Sequence, residues 1–295
     1  MKDLKEFIKE KRPTLSASSI TTYNSILTNL YKKVFGDNDI DVKKFDDTDK
    51  ILKHLENTEP NKRKSVLSAL VIITSNAEYR EKMNDDIQDY NKEISKQEKS
   101  ETQEQNWLSQ NEVKEKYNQL ENEAKLLYKK NHIKPSDLQQ IQDYIILSLL
   151  GGVHIPVRRS MDYCCFKIKN INKEKDNFID DKWRELVFNS YKTAKTYGKQ
   201  TLPIPPKLKT ILKKWISINP TDYLLFDKNY NHLTNVKLNQ RFNKIFGKKS
   251  SVNALRHSIL TEKFGEQMKK NKELEKEMSA MGSSLSQAPV YIKND

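Results

Sequence analysis

The sequence predicts a mainly α-helical protein with a small β hairpin or sheet, divided into two domains. Three observations carry this. Apolar residues recur at helical spacing in most windows. One stretch, ELVFNSYKTAKTYGKQTLPIP, has β-branched and aromatic residues on both sides of a glycine, as two short strands around a turn do. Between Glu81 and Glu104 the composition shifts to a mixed-charge segment without Gly or Pro, read as an exposed helix or a linker. The boundary is placed near residue 105, giving domains 1–104 and 105–295; a chain of 295 residues is long enough for about two ordinary domains.

Taken in order, TLSASSITTYNSILTNLYKKVFG opens with Ser and Thr suited to capping. It carries an apolar face at Ile20, Tyr23, Ile26, Leu27, Leu30 and Tyr31, and stops at Gly36. DTDKILKHLEN and NKRKSVLSALVIITSN follow as helices, so the first domain reads as three or four helices with Lys-rich outer faces. In the second, NWLSQNEVKEKYNQLENEAKLLY has Ser109 three residues before Glu112, the pattern of a capping box. SDLQQIQDYIILSLLGGV is a more apolar helix ending at Gly151 and Gly152. After the strand pair, PKLKTILKKWISIN and TNVKLNQRFNKIFG return to helix.

Lys and Arg number 53 against 40 Asp and Glu, a formal +13, so the surface favours polyanions: nucleic acid first, an anionic membrane second. No apolar run approaches the roughly 20 residues that span a bilayer, and MKDLKEFIKEKRP has no apolar stretch of a secretory signal. The only cysteines, Cys164 and Cys165, are adjacent and form neither an ordinary disulfide nor a metal site; they read as buried small residues on a helix. An intracellular setting, cytoplasm or host nucleus, is expected.

Four stretches carry chemistry. GGVHIPVRRSMDYCCFKIKNI places Arg158 and Arg159 after a buried helix and before Asp162. NSYKTAKTYGKQTLPIP places Lys192 near the end of the first strand. SSVNALRHSILTEKFG places Arg256 and His257 in a helix whose Leu255, Ile259 and Leu260 are expected to face inward. MGSSLSQAPVYIKND carries Tyr291. Each alone has an ordinary structural reading: solvated arginines, an edge lysine, a surface arginine beside a histidine, an incidental tyrosine.

As an ordered set, Arg, Lys, Arg-His and Tyr, they resemble the catalytic domain of the tyrosine recombinases, the family of phage integrases. The resemblance spans about residues 106–295, and LSASSITTYNSILTNLYKKV resembles that family's helical core-binding domain. It implies Arg159 as the first catalytic arginine, with Asp162 and Phe166 at the family's offsets and Arg158 as the alternative. It implies Lys192 as the catalytic lysine ahead of Lys195 and Lys199, Arg256 as the second arginine, and Tyr291 as the nucleophile. VNALRHS matches the family's HxLRH, with Asn253 where the first His stands and His257 at the last position. Gly282 or Ser283 occupies the region of the family's second His or Trp. An amide binds a phosphate but shuttles no proton.

The resemblance implies cleavage and rejoining of double-stranded DNA through a 3′-phosphotyrosine, with no metal and no cofactor, on a homo-oligomer, a tetramer, assembled on DNA. A virus or mobile element is the expected source. The chemistry needs these residue types: guanidinium forks for the charge on the phosphate oxygens, a lysine to protonate the leaving 5′ oxygen, and a phenol to hold the covalent bond. A type IB topoisomerase-like nicking enzyme and a catalytically silent DNA-binding protein of the same fold are the alternatives.

Overall fold

The computed structural model describes residues 3–37 and 39–293, and the chain forms two compact units, 1–99 and 100–295. In the first, α1 (Leu4–Lys11), α2 (Ala17–Phe35), a 3₁₀ turn at Val42–Asp46, α3 (Thr48–Leu55), α4 (Pro60–Thr74) and α5 (Ala77–Lys96) enclose one core. The Ser16 side chain caps α2, and Gly36 ends it in the left-handed conformation at φ 72°. The α4 run is apolar on several faces and is buried accordingly, with Leu67, Ala69, Leu70, Ile72 and Ile73 inside.

The mixed-charge segment is largely α5, packed along α4. Its Asp86 is 1% exposed and pairs with Arg63 of α4 (Nη2 to Oδ1, 2.6 Å), whose Nη1 also donates to the carbonyls of Glu56 and Thr58. One cation thereby satisfies a buried carboxylate and the end of α3. Residues 1–99 hold 19 Lys or Arg against 18 Asp or Glu, and residues 100–295 hold 34 against 22. The net charge is +1 on the first unit and +12 on the second, so nearly all of the positive excess lies on the second unit.

The second unit contains α6 (Glu101–Gln105), α7 (Gln110–Leu127), α8 (Pro135–Leu150), α9 (Met161–Cys164), β1 (Phe178–Ile179), β2 (Glu185–Phe188), α10 (Ala194–Tyr197), β3 (Gln200–Pro203), α11 (Pro206–Ile218), α12 (Asn235–Phe246), α13 (Val252–Ala280), a 3₁₀ turn at Leu285–Gln287 and α14 (Ala288–Tyr291). The capping box of Ser109 and Glu112 is formed at the start of α7. The most apolar helix, α8, is the buried axis of the unit. Its Gln142 is fully buried and pairs with the Phe226 backbone through both amide atoms, at 2.8 Å each.

The three strands form an antiparallel sheet in the order β1-β2-β3, with Leu186 opposite Leu202 and Phe188 opposite Gln200. The sequence showed no separate signal for β1, which has two residues.

Three expectations are corrected. Leu260 is 55% exposed: of the three residues expected to face inward, Leu255 and Ile259 fall on the packed face of α13 and Leu260 does not. Cys164 is buried, with its thiol pushed up to about 12 by burial, but Cys165 lies just past α9 and is exposed. Lys192 is not at the strand end: β2 stops at Phe188, and Lys192 lies in the turn before α10. Among the described residues no helix is long and apolar enough to cross a membrane.

Candidate active site: an arginine concavity beside the hairpin

Arg158, Arg159 and Arg256 are brought together around an open concavity of about 280 Å³, whose lining also includes Asp162, Tyr191, Thr193, Tyr197 and Gln200. Three peptide segments build it: the loop from α8 to α9, the β2–β3 connection, and the first turns of α13.

The loop is set by Gly152, which sits at φ 74° with its backbone against α13. A Cβ there would meet Ile259 Cδ1 at 2.6 Å and Val157 Cγ2 at 3.2 Å. The positive φ favours glycine, and a side chain there would also force Ile259 to shift. The base of α13 is fixed in turn, with Ser258 Oγ donating to the Leu108 carbonyl and the Glu262 carboxylate accepting from Gln110 N at the start of α7.

Asn177 joins the loop to the hairpin. Its Nδ2 donates to the carbonyls of Asp162 (2.8 Å) and Ser190 (2.7 Å), and its Oδ1 accepts from the N–H groups of Asn189 (2.9 Å) and Ser190 (2.8 Å). All four hydrogen-bonding positions of one 5%-exposed amide are used.

The two adjacent arginines have different surroundings. Arg158 Nε donates to Asp162 Oδ2 at 2.8 Å and Nη1 to Gln200 Oε1 at 2.9 Å, and its guanidinium lies 4.0 Å from the Phe188 ring centroid and 5.0 Å from that of Tyr191. Arg159 makes no side-chain hydrogen bond or ion pair among the described residues, so its five donors remain available. Burial and then the neighbouring Arg159 and Arg158 hold Arg256 below the usual guanidinium value, with Asp162 opposing. Burial also pushes the Asp162 carboxyl up, against the pull of Arg158, Arg159 and Arg256. One carboxylate among three guanidiniums leaves a positive concavity with unused donors, a site for a tetrahedral oxyanion.

Asn253 lies one turn before Arg256 on α13, its Oδ1 accepting from Arg256 Nη1 and its Nδ2 beside His257 Nε2, both at 3.4 Å. His257 is exposed. Lys192, Lys195 and Lys199 are exposed on the β2–β3 connection; Tyr191 and Thr193 on either side of Lys192 line the concavity, and Lys192 itself does not.

Ser283 and Tyr291 are not among the lining residues. They follow the far end of α13, where Ser283 N donates to the Met278 carbonyl at 2.8 Å and Tyr291, the last residue of α14, is 58% exposed. Asn294 and Asp295, at the end of the stretch that carries Tyr291, lie outside the described residues. Tyr197, Thr193 and Gln200 were not singled out from the sequence, although all three belong to the hairpin stretch that was. Among the described residues no group of three or more His, Cys, Asp or Glu side chains is placed to hold a metal.

No protein-family model and no curated protein matches the chain. Among solved structures it is similar to XerA recombinase, at 14% identity over 88% of this chain and 82% of that one, with a TM-score of 0.34. It is also similar to lambda integrase, in a dimer bound to a COC′ core site (12% identity, 86% of this chain and 87% of that one, TM-score 0.43) and in a tetramer bound to a Holliday junction (14% identity, 86% and 70%, TM-score 0.43).

Proposed function

We propose that the chain is a site-specific DNA recombinase of the tyrosine recombinase type, and that the arginine concavity holds the phosphate at which DNA is cut. The observation that carries this is the pairing of two arginines from distant segments, Arg159 and Arg256, in one concavity, where Arg159 makes no side-chain hydrogen bond or ion pair among the described residues. Fixed guanidinium donors stabilise the extra charge on the non-bridging oxygens of a phosphodiester under attack.

In this reading the Tyr291 oxygen attacks phosphorus and forms a phosphotyrosine bond as the bond from phosphorus to the 5′ oxygen breaks. The leaving oxygen takes a proton from Lys192, and the phenolic proton passes to solvent. Asn253, Ser283 and His257 support the phosphate and Arg256. Reversal with a new 5′ hydroxyl rejoins the strand, so no nucleotide is consumed. The first unit is the core-binding domain, and copies of the chain assemble on double-stranded DNA.

The test begins with selection of bound sequences from a random duplex pool. A nicked suicide duplex of a selected sequence is then incubated with the protein, resolved under denaturing conditions, and the DNA-linked peptide is mapped. The reading expects a covalent adduct at Tyr291, lost in Tyr291→Phe with binding retained. An adduct at another tyrosine removes the assignment.

A silent DNA-binding protein is the second reading, favoured by Asn253, by Ser283 and by the position of Tyr291 outside the concavity; absence of any adduct on selected DNA decides for it. Relaxation of supercoils without exchange between duplexes favours the topoisomerase-like alternative.

A further inference from the structure

Tyr197 ends α10 at the tip of the β2–β3 connection, is 67% exposed, and lines the same concavity as Arg158, Arg159 and Arg256. An exposed tyrosine on a turn is ordinarily of no consequence. This one differs in how its surroundings are fixed and charged.

The turn is held from inside. The Tyr191 hydroxyl donates to the Gly198 carbonyl at 2.6 Å, and the N–H groups of Tyr197 and Gly198 donate to the carbonyls of Thr193 (3.1 Å) and Ala194 (2.8 Å). Arg158 fastens both ends of the connection to the arginine loop, through Gln200 and the Tyr191 ring. The Tyr197 ring packs on no other ring among the described residues. From Leu186 to Thr221 the chain has seven lysines and no acidic residue. An uncovered aromatic face on a fixed turn therefore stands beside donors suited to a phosphate.

A polyanion that also offers flat aromatic faces is nucleic acid. Inside an intact duplex every base face is covered by its neighbours; a base beside a gap or a nick has a free face. We propose that Tyr197 stacks on a base exposed next to the phosphate held by Arg159 and Arg256, so that the protein prefers DNA opened at that position over intact duplex. This rests on the reading of the concavity as a DNA phosphate site.

The experiment uses the full chain and two short synthetic duplexes of one sequence, one intact and one with a single-nucleotide gap flanked by 2-aminopurine. Affinity is measured by fluorescence anisotropy at fixed salt, and stacking by 2-aminopurine emission. The parent protein is expected to bind the gapped duplex about tenfold more tightly than the intact one, within the range for one base on one aromatic ring. Tyr197→Ala is expected to bind both alike, and Tyr197→Phe and Tyr197→Trp to keep the preference.

A preference unchanged in Tyr197→Ala, or lost in Tyr197→Phe, overturns the stacking role. The phosphate reading fails separately, if Arg159→Ala and Arg256→Ala bind both duplexes as the parent does. If those two variants weaken binding while Tyr197→Ala leaves the ratio alone, only the stacking inference falls.

Discussion

Arg158 and Asp162 form an ion pair at 2.8 Å in which Asp162 is 1% exposed, whereas Arg159, the next residue, makes no side-chain hydrogen bond or ion pair among the described residues. The two arginines are therefore expected to fail differently when removed. Arg158→Ala strands a buried charge and its hydrogen bond to Gln200, a loss of about 3–5 kcal/mol, read as a large drop in melting temperature. Arg159→Ala is expected to leave melting nearly unchanged and to slow DNA cleavage about a hundredfold or more, as when one preorganised donor to a transition-state oxyanion is removed. A stability loss at Arg159 equal to that at Arg158 would reverse the assignment.

The +1 charge of residues 1–99 and the +12 of residues 100–295 predict where the salt dependence of DNA binding lies. Each neutralised phosphate contributes about −0.9 to the slope of log affinity against log salt. A fragment of residues 100–295, which has its own core, is expected to keep most of the full chain's slope, whereas residues 1–99 alone bind weakly with a shallow slope. Titrations of both fragments by anisotropy check this, and equal slopes would count against it.

Asn177 holds the arginine loop and the hairpin in one register. Asn177→Asp keeps the size and the oxygen that accepts from Asn189 and Ser190 but removes the donors, leaving the carbonyls of Asp162 and Ser190 facing a carboxylate. The expected result is a lower melting temperature together with a loss of cleavage, although the residue touches no phosphate. Asn177→Asp with parental cleavage would show that the hairpin is positioned by β2 and β3 alone.

The parts of the fold that local chemistry decides were legible. Ser16, Gly36 and Ser109 mark helix ends by their side chains or missing side chain, and α8 is apolar along most of its length, so its burial follows. What could not be read depends on distant partners. Nothing local to Phe178 and Ile179 announces a strand; β1 exists because Val187 and Leu186 lie opposite it. Arg158 and Arg159 are equivalent as a dipeptide and only the family resemblance ranks Arg159 first; which of them is engaged by the protein depends on Asp162 one turn on and on Gln200 and Phe188, brought in by folding. Tyr197 reads as a turn residue until the loop and α13 are seen on the other side of the concavity.

His154 lies in the loop that leads to the arginines, with Nε2 at 2.8 Å from the Tyr117 hydroxyl, which in turn meets Tyr144; Glu121 and Lys207 are the charged groups nearby. Burial, and then Lys207, hold its imidazole below the ordinary value of 6.5, with Glu121 opposing. On acidification the unfolded chain takes up the proton first, so the stability due to a neutral His154 is complete above pH 6.5 and is lost as pH falls below it towards the lowered value. Thermal melts between pH 8 and pH 5 are expected to fall on the acid side of 6.5, and His154→Gln is expected to flatten that part of the profile. An unchanged profile in the variant would assign the acid loss to other groups.

Helix α13 runs unbroken from Val252 to Ala280, and the 24 residues from Arg256 to Ala280 correspond to about 36 Å at 1.5 Å per residue. The tail returns only locally, onto the end of that helix through Met278 and Ala288. For Tyr291 to reach a phosphate held by Arg256 of its own chain, α13 must bend. Gly265 is the position suited to it: a Cβ there would meet nothing nearer than Thr261 Cγ2 at 3.8 Å, so no packing calls for glycine, and glycine costs about 1 kcal/mol against alanine inside a helix. Gly265→Ala is therefore expected to leave DNA binding intact, to hold or raise the melting temperature, and to slow formation of the covalent adduct. Supply of Tyr291 from a second copy predicts the opposite pattern, because a straight α13 would then be the productive form. Mixing Arg256→Ala with Tyr291→Phe separates the two: service within one chain leaves the mixture without adduct, since no chain has both groups, whereas service between chains restores it. The expected outcome is no adduct from the mixture and a slowed adduct from Gly265→Ala, both read on denaturing gels with a nicked suicide duplex; an adduct from the mixture would transfer the nucleophile to the neighbouring copy.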